Sequence, residues 1–330
     1  MKAGQETVTS TRRMVADAAG IAEAAAVLAA GGLAAFPTET VYGLGADATN
    51  AAAVAKLYAA KGRPSFNPLI AHVADVSAAK RAGHLNATAM KLAAKFWPGP
   101  LTLVVPTTDL VCDLARAGLD TVGLRVPAHP AAQKMLAAFG KPVAAPSANR
   151  SGHVSPTAAE HVLADLAGKI DFVLDGGATP LGLESTIVDC SSGVPRLLRA
   201  GGVPREEIEK TLGQKIEIAG NGDADAPASP GRLASHYATR ARLRLNVREV
   251  KEGEALLAFG EPLPQGAELS TLTLNLSHSG NLTEAAANLF SYMRAMDEAG
   301  VAAIAVAPIP KKGLGEAIND RLTRAAAPRA

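Results

Sequence analysis

Apolar positions along the first two hundred residues follow two alternating rhythms. One is a helical spacing of three and four, rich in alanine; the other is a short, nearly unbroken apolar run. The spacing predicts helices over 21–30, 51–60, 88–96 and 131–139. The short runs predict strands over 33–36, 69–73, 101–106, 121–126 and 142–145. Thr49 and Asn50 are capping candidates for the second helix. Three further short strands, over 171–175, 185–189 and 196–199, follow one another with only Gly- and Pro-rich turns between them. Strands alternating with helices indicate an α/β domain. The hairpin-like succession of the later strands makes the sheet mixed rather than all parallel.

The texture changes at residues 220–231, where no large apolar side chain occurs. Such a stretch cannot bury a core and reads as a linker. Beyond it, strands over 255–259, 271–275 and 303–307 and helices over 283–299 and 315–327 predict a second, smaller α/β domain. The expected division is 1–216 for the first domain, 217–242 for a linker and 243–330 for the second domain. No period of repeat length recurs.

Composition narrows the function classes. Of 330 residues, 48% are hydrophobic, 19% charged and 4% aromatic, and Trp97 is the single tryptophan. So few aromatics argue against a surface that stacks nucleic-acid bases. The net charge of +2 is evenly spread, with 9 basic and 10 acidic side chains in residues 243–330. That is not the basic body of a phosphate-gripping protein. Two cysteines, Cys112 and Cys190, are too few for a disulfide framework or a four-cysteine zinc site. They read as small buried hydrophobes in a reducing compartment. No secretory signal order opens the chain, and the apolar stretches at 24–36 and 301–309 are too short and too broken to span a bilayer. A soluble cytoplasmic protein with no membrane contact is expected.

Candidate chemistry clusters at element ends. Pro37-Thr38-Glu39-Thr40-Val41-Tyr42-Gly43-Leu44-Gly45 places hydroxyls, a carboxylate and a Gly-Leu-Gly turn after a buried strand, the format of a small-molecule site or of a plain loop. Lys61-Gly62-Arg63 offers a point charge and a planar fork to an anion, although basic residues also suit a helix C-terminus. Arg125 sits inside an apolar strand and needs a partner: a ligand carboxylate or a structural carboxylate serves equally. Pro146-Ser147-Ala148-Asn149 and Glu184-Ser185-Thr186 repeat the small polar theme, and Arg199-Ala200-Gly201 adds a cation beside flexible backbone. His236-Tyr237 is an odd aromatic pair for a linker, and a segment folding back over a site would explain it. Phosphate-loop, zinc-protease, nucleophile-elbow and complete dinucleotide signatures are missing, and the seven histidines show no metal-ligand spacing. No intrinsic metal site is expected.

Taken in order, these motifs, with Asn67-Pro68-Leu69, Trp97-Pro98-Gly99-Pro100 and the end Gly313-Leu314-Gly315-Glu316-Ala317-Ile318-Asn319-Asp320-Arg321, resemble the YrdC-like threonylcarbamoyl-AMP synthase family in its long, two-domain form. The resemblance covers residues 15–330 and implies a twisted mixed YrdC-like sheet plus a smaller Rossmann-like domain. It implies an enzyme that makes threonylcarbamoyl-AMP and pyrophosphate from L-threonine, bicarbonate and ATP, with Mg2+ on the ATP phosphates. A separate transferase complex would pass the group to tRNA beside the anticodon. By the same resemblance, Thr40, His72, Arg125, Ser185 and the backbone of Ala145 would hold threonine. Lys61, Arg63, Asn67, Thr121, Ser147, Asn149, Ser155, Arg199 and Tyr237, with a contribution from His236, would hold ATP. Lys61 and Arg63 would stabilise developing charge. Two other classes compete. A non-enzymatic double-stranded RNA-binding module is disfavoured by the near-neutral charge, which leaves room only for weak RNA contact. A carbamoyl-adenylating hydrogenase-maturation protein would need cysteine clusters that this chain lacks.

Overall fold

In a computed structural model that describes residues 10–219 and 237–328, the helix expected over 51–60 runs Ala51–Lys61. Asn50 caps it by accepting from the backbone of Ala52 and Ala53, and Gly62 ends it in the left-handed region at φ 60°. That stop directs Arg63 away from the helix axis. The remaining expected helices of the first domain occur as Ala18–Ala29, Ala87–Phe96 and Pro130–Phe139.

The strands are β1 Arg12–Val15, β2 Ala34–Phe36, β3 Gly43–Asp47, β4 Ile70–His72, β5 Leu101–Pro106, β6 Thr121–Arg125, β7 Val143–Ala144, β8 Phe172–Asp175, β9 Thr186–Asp189, β10 Arg196–Arg199 and β11 Glu217–Ile218. They form one sheet in the order β1-β8-β2-β3-β7-β4-β6-β5-β9-β10-β11. It is mixed: β4 and β6 are parallel, while β2 with β3 and β5 with β6 are antiparallel. β11 pairs with β10 and carries this sheet to Ile218, two residues beyond the expected limit at 216.

One local expectation is corrected. Gly43-Leu44-Gly45 is not a turn but the start of β3, with Gly43 opposite Phe36 and Gly45 opposite Ala34. Glycine is a poor strand former, yet a Cβ at Gly45 would lie 2.9 Å from Val143 Cγ1 and 3.0 Å from Phe36 Cε1. Close packing of the neighbouring strands overrides propensity here. The turn proper is the preceding segment, 37–42.

The two faces of the sheet are treated differently. On one, Leu44, Ala71, Leu103, Leu124 and Val188 share a core with residues of several helices, among them Leu57, Leu92, Val162 and Ile208. On the other, helices Ala18–Ala29 and Pro130–Phe139 cover only the β2, β7 and β8 end. Further along, that same face carries Ile70, Val104, Ile187 and Leu198, and among the described residues their small cluster contains no helix residue. The candidate site lies on this half.

The second domain is a parallel sheet of β12 Arg242–Arg244, β13 Ala255–Ala258, β14 Thr273–Asn275 and β15 Ala303–Val306, ordered β12-β15-β13-β14. Helices Leu282–Glu298 and Leu314–Ala326 pack on it. Val41, Val154 and Leu183 of the first domain join that core. A Cβ on Gly182 would lie 2.4 Å from the Ala286 carbonyl oxygen, so the backbones nearly touch. Among the described residues no helix is long and apolar enough to cross a membrane.

Candidate active site

Chain ends and turns from distant segments meet in one cavity. Thr38, Thr40 and Val41 come from the β2–β3 connection, Gly43 from the start of β3, Ile70 and His72 from β4, Arg125 from the end of β6, and Ala145, Pro146 and Ser147 from the loop after β7. Glu184 and Ser185 precede β9, Arg199 ends β10, and Arg63 and Tyr237 complete the wall.

At one end, Arg125 is buried and donates from Nη2 to Glu39 Oε1 at 2.7 Å and to Thr40 Oγ1 at 2.9 Å. Its Nε reaches the Gly99 carbonyl at 3.3 Å. The Thr38 hydroxyl donates to the Val41 carbonyl, so the Thr40 hydroxyl, 2.7 Å from Thr38 Oγ1, donates to Thr38. This fixes the orientation of both hydroxyls. His72 is buried edge-on to Phe36, and its Nδ1 has no partner among the described residues. Burial, helped by the Arg125 charge, lowers its pKa to about 3, so the imidazole is neutral. Ser185 Oγ lies 2.7 Å from Thr102 Oγ1, and its carbonyl accepts two bonds from Arg199, at 2.9 and 3.1 Å. Burial lowers Arg199 to about 10, which leaves it charged at neutral pH. A carboxylate-bearing small molecule would meet cations, a neutral imidazole and oriented hydroxyls here.

The anion-facing groups are Arg63 and the loop after β7. Arg63 Nε is buried without a partner among the described residues, and its Nη2 only grazes the Pro68 carbonyl at 3.4 Å. Lys61 stands behind the loop rather than in the cavity wall. Its ammonium donates to the carbonyls of Ser147 at 2.6 Å and Asn149 at 2.5 Å. Burial, with Arg63 as a second cation nearby, pushes the Lys61 amine well below the usual lysine range, and Asp165 only partly opposes this. Asn149 spends its amide N–H groups on the carbonyls of Arg150 and His153, and its Oδ1 is left buried and unpartnered among the described residues.

The remaining expected ligands lie outside the cavity wall. Thr121, Gly123 and Arg125 alternate onto one face of β6, which puts Thr121 about 13 Å from Arg125 at roughly 3.3 Å per residue. The parallel register of β4 and β6 brings Asn67 to that same end. Ser155 is fully buried and donates to Glu184 Oε1 at 2.6 Å. His236 and Ser229-Pro230-Gly231 lie outside the described residues. Tyr237 is buried, stacked on Phe290 with ring centroids 5.4 Å apart.

Several site residues stood in the motifs singled out from the sequence but were given no role of their own there. Thr38 and Glu39 orient Thr40 and Arg125, which only the fold reveals. Among the described residues Glu184 is the one carboxylate in the cavity wall, and both of its oxygens are engaged, by Ser155 and by Arg321 Nε at 2.8 Å. Burial alone would raise its pKa, but Arg321 and then Arg199 pull it down to about 2. Arg321 had a legible signal: it falls on the apolar stripe of its helix, with Leu314, Ala317, Ile318, Leu322 and Ala325.

An α/β fold that gathers basic side chains, oriented hydroxyls and a neutral imidazole in one cleft has the makings of a small-molecule-binding site. The particular family follows from sequence: the Sua5/yciO/yrdC model, described as telomere recombination, matches residues 26–201. The model for the C-terminal domain of threonylcarbamoyl-AMP synthase matches residues 203–327. The chain belongs to this family. It is similar to the threonylcarbamoyl-AMP synthases of Pyrococcus abyssi, at 42% identity over 92% of each chain, and of Bacillus subtilis, at 42% over 93% of this chain and 92% of that one. The crystal structure of P. abyssi Sua5 complexed with L-threonine superposes with a TM-score of 0.86 and 40% identity, covering 97% of this chain and 98% of the other.

Proposed function

We propose that this chain is a threonylcarbamoyl-AMP synthase, condensing L-threonine, bicarbonate and ATP into threonylcarbamoyl-AMP and pyrophosphate. The observation that carries the reading is the single cavity in which Thr40, His72, Arg125, Ala145 and Ser185 adjoin Arg63, Ser147, Arg199 and Tyr237. The first set suits an amino acid and the second a nucleotide. The threonine carboxylate pairs with Arg125, and its hydroxyl lies among Thr40, His72 and Ser185. The nucleotide extends along the Gly123 face towards Asn67 and Thr121, with Asn149 Oδ1 and the Ser155 region bounding it.

The threonine amine attacks the carbon of bicarbonate, and loss of water leaves a carbamate. A carbamate oxygen then attacks the α-phosphate, and the bond to pyrophosphate breaks. Neither step needs a protein nucleophile. Arg63 and Arg199 offset the charge that develops on the phosphates, and Lys61 holds the loop that carries Ser147 and Asn149 in place. Mg2+ enters with the substrate ATP. The one cavity carboxylate among the described residues is already paired, so the donor set favours a metal carried on phosphate oxygens. The division into a first domain to about residue 216, a linker and a second domain from 243 belongs to the same reading, with residues 220–236 of that linker outside the described residues. So does delivery of the product to a tRNA-modifying transferase in the cytoplasm.

The test is pyrophosphate release from ATP, measured with and without threonine and bicarbonate. Release that requires both is expected; turnover indifferent to threonine would refute the assignment.

A further inference from the structure

Arg321 is the largest side chain in the described protein with essentially no exposed surface, and it belongs to the second domain. It sits on the buried stripe of Leu314–Ala326, where an apolar residue would serve packing better. Its contacts are spread over and beside the cavity wall. Nε donates to Glu184 Oε2 at 2.8 Å, Nη2 donates to the Ala200 carbonyl at 2.9 Å, and the guanidinium carbon lies 5.4 Å from the Tyr237 ring centroid. Nη1 is held from behind by Asp320 Oδ2 at 2.5 Å. Glu184 precedes Ser185, and Ala200 follows Arg199, so one guanidinium ties together three walls of the site.

Holding the domains together does not require this contact. Arg294 bridges to Asp165 at 3.0 Å, Arg205 bridges to Glu316 at 3.1 Å, and Val41, Val154 and Leu183 are buried in the second domain's core. We propose that Arg321 is a positioning residue of the active site: its planar fork sets Glu184-Ser185, Arg199-Ala200 and Tyr237 relative to one another. The second domain is thereby a working part of the site. This rests on the functional reading given above.

The experiment compares wild type with Arg321→Met, Arg321→Lys, Glu184→Gln and the Arg321→Met/Glu184→Gln double variant. Folding is checked by circular dichroism, affinity for ATP and for threonine by calorimetry, and turnover by pyrophosphate release. Arg321→Met is expected to weaken ATP and threonine binding about tenfold or more. Arg321→Lys keeps the charge but loses the fork, and is expected to recover only part of this. The double variant is expected to be less impaired than the sum of the singles, because no unpaired carboxylate remains buried.

A role in docking alone would not change the acid side of the kcat/KM profile. In Arg321→Met, Glu184 keeps Arg199, the Ser155 hydroxyl and Tyr237 about it but loses its strongest neutralising partner, while Asp320 keeps its ion pair with Arg324 at 3.0 Å. A new loss of activity in mildly acidic solution is expected, absent again in the double variant. A folded Arg321→Met that binds both ligands as wild type does overturns the proposal. If that variant does not fold, Arg321→Lys with wild-type affinities does so instead. A wild type that binds ATP and threonine without releasing pyrophosphate overturns the functional reading alone, and the binding comparison still decides the role of Arg321.

Discussion

Arg125 and Thr40 lie 85 residues apart in sequence and 2.9 Å apart in the fold, with the guanidinium donating to the hydroxyl. The same Nη2 also serves Glu39, so a strand-borne arginine and a turn between two strands are locked together. The sequence reading left open whether Arg125 meets a ligand or a structural carboxylate. The structure shows the structural carboxylate of Glu39 as its partner.

Arg125→Lys tests the value of the fork. A lysine cannot hold Glu39 and Thr40 and still present a planar pair of donors to a carboxylate. Threonine affinity is expected to fall about tenfold or more, equivalent to roughly 1.4 kcal/mol, with ATP affinity far less affected. Calorimetric titration with each ligand separately measures this, and equal losses for both would count against the carboxylate role.

Lys61→Met should act through the loop it supports. The substitution leaves the carbonyls of Ser147 and Asn149 without their donor, at about 1–3 kcal/mol for each buried group. A lower melting temperature and a fall in kcat/KM of about a hundredfold are expected. Thermal melts and pyrophosphate release check the two effects. Intact activity beside a lowered melting temperature would restrict Lys61 to stability.

Gly201→Ala is predicted to damage the site from outside it. The new Cβ would fall 2.4 Å from the Glu184 carbonyl oxygen and 2.5 Å from Thr186 N, both backbone atoms that cannot swing aside. The turn after β10 must then move off β9, taking Arg199 away from the Ser185 carbonyl. Stability should drop by about 1–3 kcal/mol, with a raised KM for both substrates. Unchanged kinetics in a folded variant would mean that the turn is not part of the site.

Stability should decline in acid in two stages. His72 is neutral when folded, with its pKa lowered from 6.5 to about 3, so the unfolded chain binds more protons between those values. Its effect is nil above about pH 6.5 and grows as pH falls towards about 3, by at most about 1.4 kcal/mol per pH unit. Glu184, lowered from 4.5 to about 2, contributes stability that is present above 4.5 and is lost as pH falls through about 2. His72→Gln should therefore flatten the curve of urea midpoint against pH between 6.5 and 4.5. A slope identical to wild type in that window would show that His72 is not the group responsible.

The elements were more legible than the contacts. β5 and β10 were expected over 101–106 and 196–199 and occur there, because short segments with an apolar centre between Gly and Pro breaks leave room for a strand and too little chain for a helix. β3 was not foreseen, since Gly43-Leu44-Gly45 has turn chemistry locally and becomes a strand only because Phe36 and Val143 leave no room for side chains. The motifs located the cavity, yet Lys61-Gly62-Arg63 gave no hint that Lys61 would be committed to two carbonyls far along the chain. Arg321 was visible as a charge on an apolar stripe, but its partner Glu184 lies 137 residues away. Pairings of that span are set by tertiary packing, which leaves no periodicity to read.

Burial gives the cavity wall a consequence for kinetics. His72 stays uncharged down to about pH 3, Glu184 stays ionised to about pH 2, Arg199 stays cationic to about pH 10 and Tyr237 is raised further still. Across the whole working range these four groups act as fixed charges and dipoles rather than titrating ones. A pH–rate curve for the intact site would then owe little to them. Any bend near neutrality would trace Lys61, whose amine burial lowers, or the incoming reactants: the fraction of threonine with a free amine and the balance between dissolved carbon dioxide and bicarbonate.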